Sequence, residues 1–432
     1  MNILRVLFGK KTETENQSNL NNTEDNEKES CNGVGSKEDT EKIVADDKND
    51  SDEKTVADGN KSETTRDDIQ NVYHLIVVDE SGSMSCIRKQ TVDGCNETIS
   101  HIKVLQKKSE GIQMHYLSLY FFFGGGMRYI RKNQPIDKVN LITPADYNPC
   151  SNTPLYDALG FTLNDLEYIM KKSSGKPLGY VTVITDGYEN SSHRFGLNDI
   201  RRLVDRMKES GVVFSFIGAN IDVDKVADDL NIGNATQFNQ TDEGTRNMWK
   251  DEMLCKERYI AKSMYFDYCR ASGCDYFDFS EDDWRRSENA GDLTRKRMNN
   301  ENRVTPSSVQ AFKDNDIFVF FTDNLGHHDT PSGGLALKYF GAKVGQTEGL
   351  QGRSYAIPVD STAGESNAHR KMFISIQTFM RFAKEHQELN FCVWSYDTDE
   401  LRIDPMQMAS MFFGASKLPN VKLPKMFSDY LY

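Results

Sequence analysis

Asp79, Ser81 and Ser83 stand two residues apart in His74-Leu-Ile-Val-Val-Asp-Glu-Ser-Gly-Ser-Met84, where an apolar run gives way to a turn. One carboxylate and two hydroxyls at that spacing, at the carboxyl end of a buried strand, converge on a point. Oxygen-only ligands in a tight turn suit a small hard cation, Mg²⁺, Mn²⁺ or Ca²⁺, over Zn²⁺, which takes Cys or His. Three oxygens do not complete the shell of such an ion, so the remaining ligands must come from elsewhere in the chain.

The elements that would position this turn alternate between strand and helix. Residues 73–78 form a continuous β-rich run of the kind buried on both faces of a parallel sheet. Helical spacing follows over 87–106, then a strand over 114–123, which Gly124-Gly-Gly126 turns into an antiparallel edge at 127–130. Helices are expected over 155–170, 198–207 and 223–230, with strands over 180–185, 212–217 and 236–238. The expected product is an α/β fold with a doubly wound, mostly parallel sheet. Ligands in such sheets sit at the carboxyl ends of the strands near the topological switch point. Two further turns reach that place. Cys150-Ser-Asn-Thr-Pro-Leu-Tyr-Asp157 offers Thr153, stiffened by the following proline, and Val183-Ile-Thr-Asp-Gly187 offers Asp186, with Gly187 allowing a sharp turn.

These three pieces, in this order, resemble the von Willebrand factor A family, and Thr182-Val-Ile-Thr-Asp-Gly-Tyr-Glu-Asn190 with Phe216-Ile-Gly-Ala-Asn220 looks like its bacterial branch. The resemblance covers about 72–239. It implies a metal-ion-dependent adhesion site made of Asp79, Ser81, Ser83, Thr153 and Asp186, with the three hydroxyls binding the cation directly and the two aspartates largely through water. It also implies a protein partner that presents an Asp or Glu to the metal. Glu80, Glu189 and Asn190 are expected at the rim or behind the ligands. No general base, nucleophile or phosphate-gripping lysine accompanies the motif, so binding is favoured over hydrolysis.

Charge is unevenly spread. Residues 1–68 hold 10 Lys/Arg against 18 Asp/Glu, a net −8 of the chain's −13, so the remainder is only mildly acidic. That balance argues against nucleic-acid binding through a basic face. From Thr12 to Asp68 large apolar residues are nearly absent, and a disordered acidic tail is expected. Ile3, Leu4, Leu7 and Phe8 beside Arg5, Lys10 and Lys11 give residues 1–11 the means for weak membrane-surface or partner contact, or simply a frayed terminus. The eight cysteines form no Cys-x-x-Cys pair and read as reduced thiols of a cytoplasmic protein.

Four parts are therefore expected: the tail over 1–68, the A-type domain over 69–243, a helix and charged exposed linker over 244–304, and a smaller α/β domain over 305–432. In the last, Asn324-Leu-Gly, Gly333-Gly-Leu-Ala-Leu and Gly345-Gln-Thr-Glu-Gly-Leu-Gln-Gly-Arg-Ser-Tyr-Ala-Ile-Pro358 resemble a phage and bacterial macrodomain-like family. That resemblance implies an ADP-ribose-like nucleotide on Asn324, Gly333 and Gly334, and with it an alternative function as an ADP-ribose reader or hydrolase. The chain departs from the family at Trp394-Ser-Tyr-Asp-Thr-Asp-Glu400, where three carboxylates replace a glycine-rich loop and would repel a diphosphate. The leading expectation is a metal-dependent protein-binding adaptor.

Overall fold

The computed structural model describes residues 69–275, 280–289, 303–360, 365–394 and 403–431. The tip and tail expected over 1–68, and the acidic stretch 395–400, lie outside the described residues. In chain order the first part runs β1 (Gln70–Asp79), α1 (Arg88–Lys108), β2 (Gln113–Phe123), β3 (Gly126–Pro135), α2 (Leu155–Lys171), β4 (Leu178–Thr185), α3 (Leu197–Glu209), β5 (Val212–Gly218), α4 (Val223–Asp229), β6 (Ala235–Gln237) and α5 (Asp242–Ser272). These strands form one sheet in the order β3-β2-β1-β4-β5-β6. All neighbours are parallel except the glycine-turned pair β2 and β3. The chain steps outward from β1 to β2 and β3, then returns to β4, so the switch point falls between β1 and β4.

A second sheet follows α6 (Glu281–Glu288) and contains β7 (Asp316–Asp323), β8 (Gly349–Gln351), β9 (Ser354–Val359), β10 (Asn390–Val393) and β11 (Val421–Lys422), in the order β11-β10-β7-β9-β8. Helices α7 (Pro331–Tyr339), α8 (Glu365–Glu385), α9 (Pro405–Met411) and α10 (Lys425–Leu431) complete this part. Both sheets are mostly parallel with helices packed on them, as expected of an α/β fold.

Helix α5 joins the two sheets. It is 31 residues long and is buried on more than one side, so it lacks the single apolar stripe of a surface helix. Met248 and Trp249 enter the core between α1 and the first sheet. Tyr259, Met264, Tyr265, Phe266 and Cys269 share one apolar cluster with Val72 and Tyr180 of the first sheet and with Ile317, Phe373 and Phe412 of the second part. The linker expected beyond it is in part a buried helix. In α6 Trp284 stacks on Tyr259 with ring centroids 5.3 Å apart. Arg285, also buried, donates to Glu281 and to the carbonyls of Pro177 and Gly211. A sequence rich in charge looked solvated because its ion partners were not apparent in one dimension.

The face of the first sheet toward α1 and α5 carries a polar belt between two apolar layers. His74, His115, Thr182 and Ser215 are buried there. Thr182 and Ser215 donate to the Glu252 carboxylate, which is paired with buried Lys256. His74 Nε2 lies 2.9 Å from His115 Nδ1, and His115 Nε2 lies 3.0 Å from Ser109 Oγ, whose proton goes to the Leu105 carbonyl. One set of tautomers satisfies this chain, with both imidazoles neutral. Burial lowers both histidines, His115 to about 3, and His74 feels His115, Lys256 and His101 in addition.

Two predictions follow from this packing. A Cβ at Gly94 would overlap the Trp249 indole. Gly94→Ala therefore destabilises by about 1–3 kcal/mol through overpacking, despite alanine's better helix propensity. Urea denaturation measures it, and a stabilised variant contradicts the packing described. The histidines give a pH effect. Unfolded His115 takes a proton near its ordinary value while the folded group resists until about 3. Its contribution is thus full above the unfolded value and is lost as pH falls, by about 1.4 kcal/mol per unit below roughly 6.5. Asp267, pushed up to about 7 by burial, acts in the opposite sense, so the comparison is between variants. Thermal unfolding of His115→Gln should show a smaller loss between pH 7 and 5.5 than the parent, and equal losses would refute a neutral buried His115.

Candidate cation site

Strand β1 is apolar from Leu75 through Val78 and ends on Asp79, which is fully buried. Its carboxylate is held from two sides. The Ser81 N–H donates to Oδ1 at 2.7 Å, and the Thr185 hydroxyl at the end of β4 donates to Oδ2 at 2.6 Å. The backbone then tightens into a 3₁₀ turn over Gly82–Ile87 with Ser81 at its N-cap. That turn stands Ser81 and Ser83 side by side, with their hydroxyl oxygens 3.1 Å apart. Ser83 reaches across the switch point and donates to Asp186 Oδ1 at 2.6 Å. Thr153 comes from the loop before α2 and packs on the glycine after Asp186, where a Cβ at Gly187 would lie 3.0 Å from its Oγ1. The five residues singled out in the sequence therefore lie together at the carboxyl ends of β1 and β4, with only Ser83 exposed among them.

The surrounding residues hold this geometry. Asn190 Oδ1 accepts from the Thr153 N–H at 2.9 Å, and the Asn190 N–H donates back to the Thr153 carbonyl at 3.1 Å. Glu189 accepts from the backbone N–H groups of Tyr156, Ser191 and Ser192, which fixes the first turn of α2. Glu80 does not face the turn. Its buried carboxylate receives Arg128 Nε at 3.0 Å and the Asn148 N–H, tying down the loop ahead of Thr153.

Three further residues shape the turn without belonging to the motif. Thr185 immediately precedes Asp186, and its alternation into the same turn was a usable signal. Tyr147, whose hydroxyl donates to the Asp79 carbonyl at 2.6 Å, gave none. Gln240, just ahead of α5, donates to Asp186 Oδ2 and accepts from Asn220 at 2.5 Å. Both come from loops distant in sequence, and only the sheet order brings them here.

Burial raises Asp79 to about 6, partly offset by the Thr185 and Ser81 hydrogen bonds and reinforced by the Asp186 charge. The donor set is oxygen only: two carboxylates and three hydroxyls. Among the described residues no three His, Cys, Asp or Glu side chains are grouped as metal ligands, and the seven cysteines there are free thiols. The chemistry of the set thus fits a hard divalent cation better than zinc.

The other candidate site is arranged differently from its expectation. Asn324 lines a cleft of about 280 Å³ at the carboxyl ends of β7 and β9, together with Asp360, Lys371 and Ser375. Gly333 and Gly334 do not line it. The Gly333 N–H goes to Thr330 Oγ1 at 3.0 Å and the Gly334 N–H to the Thr330 carbonyl at 2.9 Å, and Gly333 packs on the His328 backbone. These N–H groups are spent inside the first turn of α7.

No family model and no curated protein matches the chain. Among solved structures it is similar to the pilus adhesin SpaC from Lactobacillus rhamnosus GG, with 12% identity and TM-score 0.35 over 45% of this chain and 30% of that chain. It is also similar to proximal thread matrix protein 1 from the mussel byssus, with 11% identity and TM-score 0.29 over 44% of this chain and 46% of that one. A further structure of that mussel protein carries a zinc-occupied MIDAS motif. The VWA domain of SpRpn10 matches with 12% identity and TM-score 0.29 over 43% of this chain and 95% of that one. The chain thus spans less than half the length of the adhesin and of the mussel protein.

The Thr185 hydroxyl supports a buried carboxylate, so its removal has a measurable cost. Thr185→Val should lose about 1.5–3 kcal/mol at pH 8, where Asp79 is charged. Chemical denaturation tests this, and a loss within error would mean that the Ser81 N–H alone carries Asp79.

Proposed function

We propose that the chain is a metal-dependent protein-binding module. In this reading Ser81, Ser83 and Thr153 hold a divalent cation directly, Mg²⁺ in the first place and Mn²⁺ or Ca²⁺ as substitutes, while Asp79 and Asp186 hold it through water. The observation that carries it is the meeting of these five oxygen-bearing side chains at the switch point between β1 and β4. The hydrogen bonds linking Ser81, Ser83 and Asp186 are the ones a cation would exchange for metal–oxygen contacts. With neutral hydroxyls as direct ligands, such a centre stays net positive and attracts an anionic oxygen. A carboxylate of a protein partner supplies that oxygen.

Binding is favoured over catalysis by the state of the neighbouring acids. The Glu80 and Glu189 carboxylates are engaged by backbone N–H and arginine donors that hold the surrounding loops, so their role is to position the loops. Calorimetric titration with Mg²⁺ tests the reading. The full chain should bind Mg²⁺, and Asp79→Ala should weaken binding by about tenfold or more. Equal affinity of the two proteins would overturn it.

A further inference from the structure

Beside the cation turn lies a cleft of about 320 Å³, and Pro154, the residue after Thr153, forms part of its wall. We propose that this cleft is the second half of the recognition site and takes an aromatic side chain of the partner segment whose carboxylate meets the cation. The inference rests on the cation reading above and adds the chemistry of the neighbouring residue.

Continuity with the turn is the first reason. One wall is the glycine hairpin between β2 and β3, and this hairpin sits directly on the loop carrying Thr153. A Cβ at Gly124 would lie 2.7 Å from the Asn152 backbone nitrogen and would overlap the Ser151 hydroxyl. The opposite wall is the loop after Asn190, the residue that caps Thr153. A segment seated on the turn therefore passes the mouth of the cleft within one or two residues, given roughly 3.3–3.6 Å of reach per extended residue.

The lining is the second reason. Met127, Pro154, Ala158 and Phe161 give it an apolar surface. Phe161 is 37% exposed although it belongs to a helix whose other large apolar residues are mostly buried. Its ring packs edge-on to Phe195 at 5.4 Å, and the Arg194 guanidinium lies 5.5 Å from its centroid. A ring entering here meets an aromatic and a cation, both of which favour a π face over an aliphatic chain. The volume is at the small end of ligand sites and suits one side chain better than a free cofactor.

Charge is the third reason. Asp157, the acid in the wall, accepts from the backbone N–H groups of His193, Arg194 and Phe195. Its charge is thereby compensated, whereas the exposed Arg194 keeps the rim positive. In a chain of net charge −13, a positive rim next to a cation turn is complementary to an acidic segment.

The test uses the full-length chain and two fluorescein-labelled peptides, Gly-Ser-Asp-Tyr-Gly-Ser and Gly-Ser-Asp-Ala-Gly-Ser, each also made with a glycine inserted after the aspartate. Fluorescence anisotropy is read in Mg²⁺ and in EDTA. In Mg²⁺ one of the tyrosine peptides should bind about tenfold tighter than its alanine counterpart. Phe161→Ala and Arg194→Glu, both at the surface, should each shrink that preference to about threefold or less, and Arg194→Glu should in addition weaken the alanine peptide, which carries the same aspartate. Equal binding of tyrosine and alanine peptides overturns the inference, as does a preference that survives both variants. Failure of every peptide to bind a chain that takes Mg²⁺ normally overturns it too. Tyrosine-peptide affinity that is the same in Mg²⁺ and in EDTA supports the cleft and instead overturns the cation reading.

Discussion

Burial of α5 between two sheets is the constraint on which the rest of this molecule depends. A helix of ordinary length on the edge of an α/β sheet buries one stripe, but α5 carries aromatic and apolar residues around its circumference. Met248 and Trp249 close the core over α1, and Tyr259 to Cys269 supply the apolar cluster that the second part packs against. Removing the second part would expose much of that surface to water, at roughly 25 cal/mol per Å² of apolar area. The two sheets are thus coupled through one hydrophobic core and do not behave as beads on a linker.

The same helix explains the polar belt beneath the sheet. Glu252 and Lys256 are one turn apart on α5 and face Thr182 and Ser215. A buried ion pair contributes little net stability, because desolvation offsets the attraction. What it does is fix position. Apolar layers above and below would tolerate a helix slid by a turn, whereas the Glu252 carboxylate meets its two hydroxyls in one register only. Just ahead of that helix stands Gln240, which holds Asp186, so the placement of α5 and the orientation of a candidate ligand are set together.

Much of this was legible in one dimension. Continuous β-rich runs at 73–78 and 180–185, separated by helical spacing, point to a parallel sheet, and the strand-end positions of Asp79 and Asp186 place both at its switch point. Thr153 was legible because Pro154 marks a helix start beside it. Position within a loop was not legible. Glu80 follows Asp79 directly, yet the strand's alternation turns it away from the turn and onto Arg128. The segment at 281–288 read as solvated charge because the acceptors of Arg285, Pro177 and Gly211, lie far off in sequence. Gly333 and Gly334 enter as nucleotide contacts only through a resemblance, and where their N–H groups go, to the Thr330 hydroxyl and carbonyl, depends on a helix start that the glycines alone do not reveal.

The acids around the turn show how a protein of net negative charge keeps one point chemically distinct. Glu80, Asp157 and Glu189 all lie within the loops that frame the site, and each carboxylate is consumed by backbone N–H donors or by arginine. Such a carboxylate is fully bonded, carries its charge into a local hydrogen-bond set, and gains nothing by moving to a cation. Asp79 and Asp186 differ. Their partners at the turn include the serine and threonine hydroxyls, groups that can reorient their proton and offer a lone pair in its place. The frame therefore uses acids that are locked, and the turn uses acids whose partners can change roles. On the proposed reading, that division, more than the number of carboxylates nearby, is what would let the end of β1 meet an added positive charge by rearrangement at low cost.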